Sequence, residues 1–302
     1  MSMWSIDQFS IKKVMGILIF LFMMGYLSFE NYLLFHSLVE VFSIVIAFNI
    51  FIIVLNTVEI NKNSYFLFLG VAYAFIGSLD LLHTLAYKGM GVFPNYGANL
   101  PTQLWVLTRY IEAGSLLLAL VFSEQKLDFS KLFFSYFGGT IILLLSIFSW
   151  EIFPDCFLPG LGLTPFKKIS EYVIISILLG TIILLYYKEE DLNNESYYLM
   201  NYALITTILG ELAFTFYVDV YGLSNMIGHI FKVISFYFIY KAIIETSFKQ
   251  PYTSVFKKLT TANQKLKAEK DKLHKYFEVS GVMVVNINEE GRIEEVNKKT
   301  CQ

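Results

Sequence analysis

Charge is scarce in this 302-residue chain: Asp, Glu, Lys and Arg supply 16% of it, against about 25% in a soluble globular domain. Hydrophobic residues supply 56% and the mean hydropathy is +0.56, so a soluble fold is excluded and a polytopic membrane protein is expected. Cysteine is nearly missing. Cys156 and Cys301 lie far apart, which excludes a disulfide framework or a thiolate metal motif. The six prolines (Pro94, Pro101, Pro154, Pro159, Pro165, Pro251) are placed between apolar runs, where proline costs least. Arginine occurs only at Arg109 and Arg292. An arginine inside an apolar segment, against a lysine-dominated background, points to a need for a planar, always-charged group. No HExxH motif or serine nucleophile elbow is present, so a membrane-embedded metalloenzyme ranks last among the function classes.

Long apolar runs are what the chain has. Eight reach the roughly 20 residues needed to span a bilayer, near 13–29, 33–58, 64–87, 102–123, 132–150, 169–187, 197–219 and 223–247. The expected fold is thus all-α and membrane-integral, with about eight transmembrane helices. Eight spans put both termini on one face, together with Lys12, Lys13, Lys62, Lys126, Lys131, Lys188 and Lys241. The other face receives Lys88, Lys167 and Lys168, so the positive-inside rule makes the termini cytoplasmic and the protein a multi-pass protein of the cell membrane. The outer connections, 88–101 and 151–168, are rich in Gly and Pro.

Against this apolar background the ionisable residues stand out. His36, Glu40, Asp80, His83, Arg109, Glu112, Glu211, His229 and Lys232 all fall within expected spans. A charge in hydrocarbon costs at least about 2.5–3.5 kcal/mol, so such residues are functional candidates. The orientation places all nine roughly 5–15 Å below the outer surface, at 1.5 Å rise per residue. Spacings of three and four (His36/Glu40, Asp80/His83, Arg109/Glu112, His229/Lys232) put each pair on one helix face. Charged faces turn away from lipid, so these are expected to converge inside the bundle.

Several chemistries fit such a layer. One is a polar network that glues helices together. Another is a metal site: His36, His83 and His229, with Glu40 or Asp80, offer nitrogens and an oxygen to Zn²⁺ or another first-row divalent ion. A third is a small polar ligand or a proton held by Arg109, Glu112, Glu211, Lys232 and Trp105. Two histidines could ligate haem, but nothing marks a macrocycle pocket. Trp105, Tyr110 and Tyr217 also read as an interfacial aromatic belt. With neutral histidines the layer carries a net −2, which a divalent cation, a cationic ligand or protonation would relieve.

After Pro251 the pattern changes to heptads. Phe256, Asn263, Lys270 and Phe277 fall at a, and Tyr252, Leu259, Leu266 and Leu273 at d. An Asn at a favours a parallel register, so a parallel homodimer is expected. Beyond it, Val282 to Ile287 and Ile293 to Val296 read as two strands closed by a turn at Gly291. Two strands cannot make a core, so this piece reads as the start of a longer domain.

The terminal piece FEVSGVMVVNINEEGRIEEVN resembles the start of a PAS domain. The membrane part resembles the third type of bacterial membrane-associated sensor (MASE) domain. The segments carrying that likeness are FHSLVEVFSIVIAFNIF (35–51), FLGVAYAFIGSLDLLHTLAYKGMGVF (68–93), QLWVLTRYIEAGSLLLAL (103–120) and GHIFKVISFYFIYKAI (228–243). The positions matching the family pattern are His36, Glu40, Asp80, His83, Trp105, Arg109, His229 and Lys232. Glu211 is added from depth alone. The resemblance implies a sensory input module of a histidine kinase or diguanylate cyclase, with no catalysis in this fragment. Its partners would be the bilayer, a second copy and a small ligand or ion from outside, with no nucleic acid. The expected domains are 1–247 (sensor), 248–276 (coiled-coil linker) and 277–302 (incomplete PAS). The alternative is a transporter or ion-coupled carrier, which also uses intramembrane polar sites. Neither inverted repeats nor broken helices are evident for it.

Overall fold

The computed structural model describes residues 15–16, 19–20, 22–57, 63–188, 194–215, 222–244, 250–279, 281–296 and 299, with side chains undescribed at 250–255 and 295. The chain forms two compact units, 1–248 and 249–302.

In the first unit a helical stretch at 22–30 precedes seven helices. These are α1 (Tyr32–Thr57), α2 (Ser64–Ala86), α3 (Asn99–Val121), α4 (Phe129–Phe148), α5 (Pro165–Tyr187), α6 (Asn194–Thr215) and α7 (Leu223–Ile244). Among the described residues, six helices are long and apolar enough to cross a membrane: α1 to α5 and α7. The expectation of eight spans is therefore cut back. The first expected span, 13–29, is described only in pieces, at 15–16, 19–20 and 22–29. The seventh is a 22-residue helix, α6, but Asn194, Glu195, Ser196, Asn201 and Glu211 dilute its apolarity.

Helix starts follow local chemistry. Asn63, Asp128 and Thr164 each accept a hydrogen bond from a first-turn backbone N–H of α2, α4 and α5. Pro101 and Pro165 do not lie between helices, as expected from sequence. They sit in the first turns of α3 and α5, where an unpaired N–H is no loss. The connections are correspondingly shorter. The α4–α5 connection holds a two-residue antiparallel ladder, β1 (Phe157–Leu158) with β2 (Gly162–Leu163), reversed at Gly160, whose φ of +81° suits glycine. Asn99, at the start of α3, fastens this connection. Its Oδ1 accepts from the backbone of Cys156 and Phe157 at 2.8 and 3.0 Å, and its Nδ2 donates to Asp155 at 2.7 Å.

The helices pack in the cyclic order α1–α2–α3–α5–α6–α7 and back to α1, with α4 outside against α2. Small residues permit the closest crossings. A Cβ on Gly70 would lie 2.5 Å from Val54 Cβ, and one on Gly77 2.9 Å from Ala47 Cβ, so α1 and α2 nearly touch. Gly228 of α7 receives the Phe214 ring of α6 in the same way. The ring is chemically divided along its length. One half is an apolar core running through Ile50, Leu69, Tyr73, Leu116, Leu178, Leu204 and Phe236. The other half holds nearly every buried charged side chain.

The second unit contains α8 (Gln250–Val279) and an antiparallel hairpin of β3 (Val285–Ile287) and β4 (Ile293–Val296). Asn288 shapes the turn by accepting from the backbone of Glu290 and Arg292, and Gly291 takes φ +79°. Phe256, Leu259, Leu266 and Leu273 form an exposed apolar stripe on α8.

Candidate cation site in the polar half of the ring

Five of the six ring helices contribute the residues singled out in the sequence, and neither α5 nor α4 contributes one of them. His36 and Glu40 come from α1, Asp80 and His83 from α2, Trp105, Arg109 and Glu112 from α3, Glu211 from α6, and His229 and Lys232 from α7. All ten are buried, with His36, Glu40 and Asp80 at 0% exposure. The i,i+3 and i,i+4 faces read from sequence therefore do converge.

The layer has two tiers. In the first, charges are paired. Arg109 Nη2 donates to Asp80 Oδ1 at 2.8 Å and Arg109 Nη1 to Glu112 Oε2. Lys232 Nζ bridges Glu40 Oε2 at 2.6 Å and Asp80 Oδ2 at 3.0 Å. The Tyr73 hydroxyl donates to Glu112 Oε1 at 3.0 Å. Arg109 also lies 4.7 Å, and Lys232 5.0 Å, from the Trp105 ring centroid, an arrangement that stabilises both cations. Asp80, grouped with the metal donors from sequence, is thus occupied by Arg109 and Lys232.

The second tier is imidazole. One donor atom each from His36, Glu40, His83 and His229 lies within 4.8 Å of the others, and all four residues are buried. His83 Nδ1 is 2.8 Å from the Pro101 carbonyl, which fixes the proton there and leaves the Nε2 lone pair aimed elsewhere. That Nε2, and both ring nitrogens of His36, have no hydrogen-bond partner. His229 Nε2 faces Glu40 Oε1 at 3.5 Å. The rings are held by stacking: His36 on Tyr87 with centroids 3.6 Å apart, and His229 parallel to Trp105 at 5.7 Å. Trp105 is 4% exposed and forms a wall of the site, which corrects the belt reading. Tyr110 is half-buried, and Tyr217 lies outside the described residues. A cavity with room for a water or an ion reaches His83 and His229 past Tyr87, Lys88, Thr102 and Asn225.

Two buried charges were not foreseen. Lys167, expected in an outer connection, lies in the first turn of α5 at 1% exposure and pairs with Glu171 at 0%. For Lys167 the available signal was the Thr164-Pro165 pair, a helix start with proline at the first position, and for Glu171 it was a charge inside the expected span 169–187. In the neighbouring connection, burial pushes the Cys156 thiol up to about 12.

A family model described as a membrane-associated sensor domain, MASE3, matches residues 27–251. The chain belongs to the MASE3 family. No curated protein and no solved structure matches it. The matched span covers the whole ring, so the polar layer lies inside the membrane-associated sensor domain.

Proposed function

We propose that this MASE3 domain senses a first-row divalent cation such as Zn²⁺, ligated by His36, His83, His229 and Glu40. The observation that carries this reading is three buried imidazoles with unsatisfied ring nitrogens gathered around one carboxylate. A buried polar atom without a partner is costly, and three histidines with one carboxylate are a borderline-soft donor set suited to such ions. Size agrees: tetrahedral Zn²⁺ with bonds of about 2.0–2.1 Å needs donors about 3.3 Å apart. From a 4.8 Å limit, each donor would move in by about 1 Å. Charge agrees too. Glu40, Asp80, Glu112, Glu171 and Glu211 outnumber Arg109, Lys167 and Lys232 by two, so one divalent ion neutralises the layer while the histidines stay neutral.

The ion arrives from the outer face, and both termini are cytoplasmic. Because α7 carries His229 and Lys232, ligation biases that helix. Residues 248–276 pass the change on as the coiled coil of a parallel dimer, supported by the apolar stripe and Asn263. Residues 277–302 open a PAS domain ahead of a histidine kinase or diguanylate cyclase. A ligand can bias such a path only through different affinity for its two states.

The test is elemental analysis of the chain purified without chelator, wild type beside His36→Ala/His83→Ala. Near-stoichiometric metal in the wild type and none in the variant is expected. Metal-free wild type after Zn²⁺, Co²⁺, Ni²⁺ and Cu²⁺ have each been offered would overturn the cation reading and favour a small polar ligand.

A further inference from the structure

A small cavity on the α6 side of the ion-paired tier has no part in ligation. Its wall includes Trp105, Arg109, Glu112, Glu211, Lys232 and Phe236. Glu211 is 2% exposed and its Oε2 has no hydrogen-bond partner. A buried carboxylate oxygen without a donor is a costly arrangement that structures retain only for a reason. Lys232 borders the same cavity, yet its ammonium is spent in the other direction, on Glu40 at 2.6 Å and Asp80 at 3.0 Å. The Lys232 cation therefore lies between a pair of acceptors it uses and one it does not.

We propose that Lys232 is a tethered cation with two stations, and that a divalent ion at His36, Glu40, His83 and His229 drives it from Glu40 to Glu211. This rests on the cation reading of the site. Glu40 is the one residue shared between the donor set and the lysine. When Glu40 ligates a dication, the ammonium beside it faces a like charge a few ångströms away in a medium that screens poorly. Arg109 cannot make the same move, because Asp80 and Glu112 hold both ends of its planar guanidinium. Lys232 has a flexible four-carbon stem and an acceptor-lined cavity beside it. The backbones are less free. Gly228 is packed under the Phe214 ring, and Thr207 and Ser235 hydroxyls meet at 2.6 Å, so α6 and α7 are already fastened and the side chain is what travels.

The consequence is an exchange of partners across helices. With Lys232 on Glu40, α7 is ion-paired to α1. With Lys232 on Glu211, that pairing passes to α6. Glu211 thereby acts as a positioning residue for the signal and touches no metal.

The experiment is a Co²⁺ titration followed by ligand-field absorption, using the 302-residue chain in lipid nanodiscs. Wild type is compared with Glu211→Gln, Lys232→Met and the double variant. Glu211→Gln should weaken Co²⁺ binding by roughly fivefold or more, a typical coupling between linked sites. Lys232→Met should tighten it, and in that background Glu211→Gln should have little further effect. An equal loss from Glu211→Gln in both backgrounds would mean a through-space effect of charge, and no loss in either would mean no coupling. Both results overturn the two-station proposal and leave the cation reading standing. A wild type that never binds Co²⁺, Zn²⁺, Ni²⁺ or Cu²⁺ overturns both. If Lys232→Met does not fold by size exclusion, Lys232→Gln takes its place in the cycle.

Discussion

Replacing Arg109 by Met should destabilise the domain by about 3–5 kcal/mol, the cost of breaking one buried ion pair and stranding a charge. Arg109 makes two pairs, with Asp80 and Glu112, so twice that figure is the naive expectation. The structure argues for one. Asp80 keeps Lys232 at 3.0 Å after the change, and only Glu112 loses its cation, retaining the Tyr73 hydroxyl at 3.0 Å. If the penalty comes from that stranded charge, Arg109→Met/Glu112→Gln should recover much of the loss, because replacing both partners of a buried pair by neutral groups is often nearly neutral. The assay is unfolding in mixed micelles, with the midpoint compared across wild type, single and double variants. A double variant as unstable as the single would refute the reasoning. It would show that Arg109 stabilises by packing on Trp105 and filling volume, with charge pairing incidental.

The Cys156 thiol, pushed up to about 12 by burial, should stay protonated across the working range. Its alkylation by a maleimide should then show no rise between pH 7 and 9, whereas an ordinary thiol near 8.5 ionises through that window and accelerates. Gly70→Ala should cost about 1–3 kcal/mol, since the new Cβ meets Val54 at 2.5 Å. Gly114→Ala, with nothing within 4 Å, should be neutral or slightly stabilising by the same unfolding assay. Asn99→Ala removes three hydrogen bonds that hold the α4–α5 connection and should speed proteolysis there, leaving α3 itself folded; unchanged cleavage would mean that β1 and β2 hold the connection unaided.

The nine ionisable positions were legible from sequence because charge inside an apolar run is a strong signal and helical spacing fixes which residues share a face. Which helices are neighbours was not legible. Spacing along one helix says nothing of the order around the ring, so Asp80 could be placed with the histidines although Arg109 and Lys232 hold it. Trp105 was read by depth as a belt residue, but it lies four residues before Arg109 on α3, and that i,i+4 relation already put it on the charged face. Lys167 was lost for a different reason: a Pro- and Gly-rich stretch was taken to run on to 168, when Thr164-Pro165 starts a helix that carries it into the ring. Glu171 fell inside the expected span 169–187 and was passed over there.

The division of the layer into two tiers bears on what it is for. A network that only joins helices gains most when every buried polar atom is satisfied, because each unsatisfied one forfeits a desolvation cost with no return. Arg109, Asp80, Glu112, Tyr73 and Lys232 come closer to that standard: Arg109 Nε and Asp80 Oδ2 lack a hydrogen bond, but Asp80 Oδ2 still faces the Lys232 ammonium at 3.0 Å and every charge has an opposite partner. The histidines one turn away do not. His36 has two unpaired ring nitrogens and His83 has one, in a site walled by Tyr87 and Trp105 and reached by a cavity. Helix glue would be equally well served by phenylalanine or leucine at these positions, with no polar atom to satisfy. Three imidazoles that share a carboxylate but bond to little else are spent stability, and a bound cation is the partner that would return it. Replacing His36 with Phe should accordingly stabilise the metal-free domain while weakening its capacity to bind Zn²⁺; destabilisation of the metal-free form would instead identify His36 as part of the structural network.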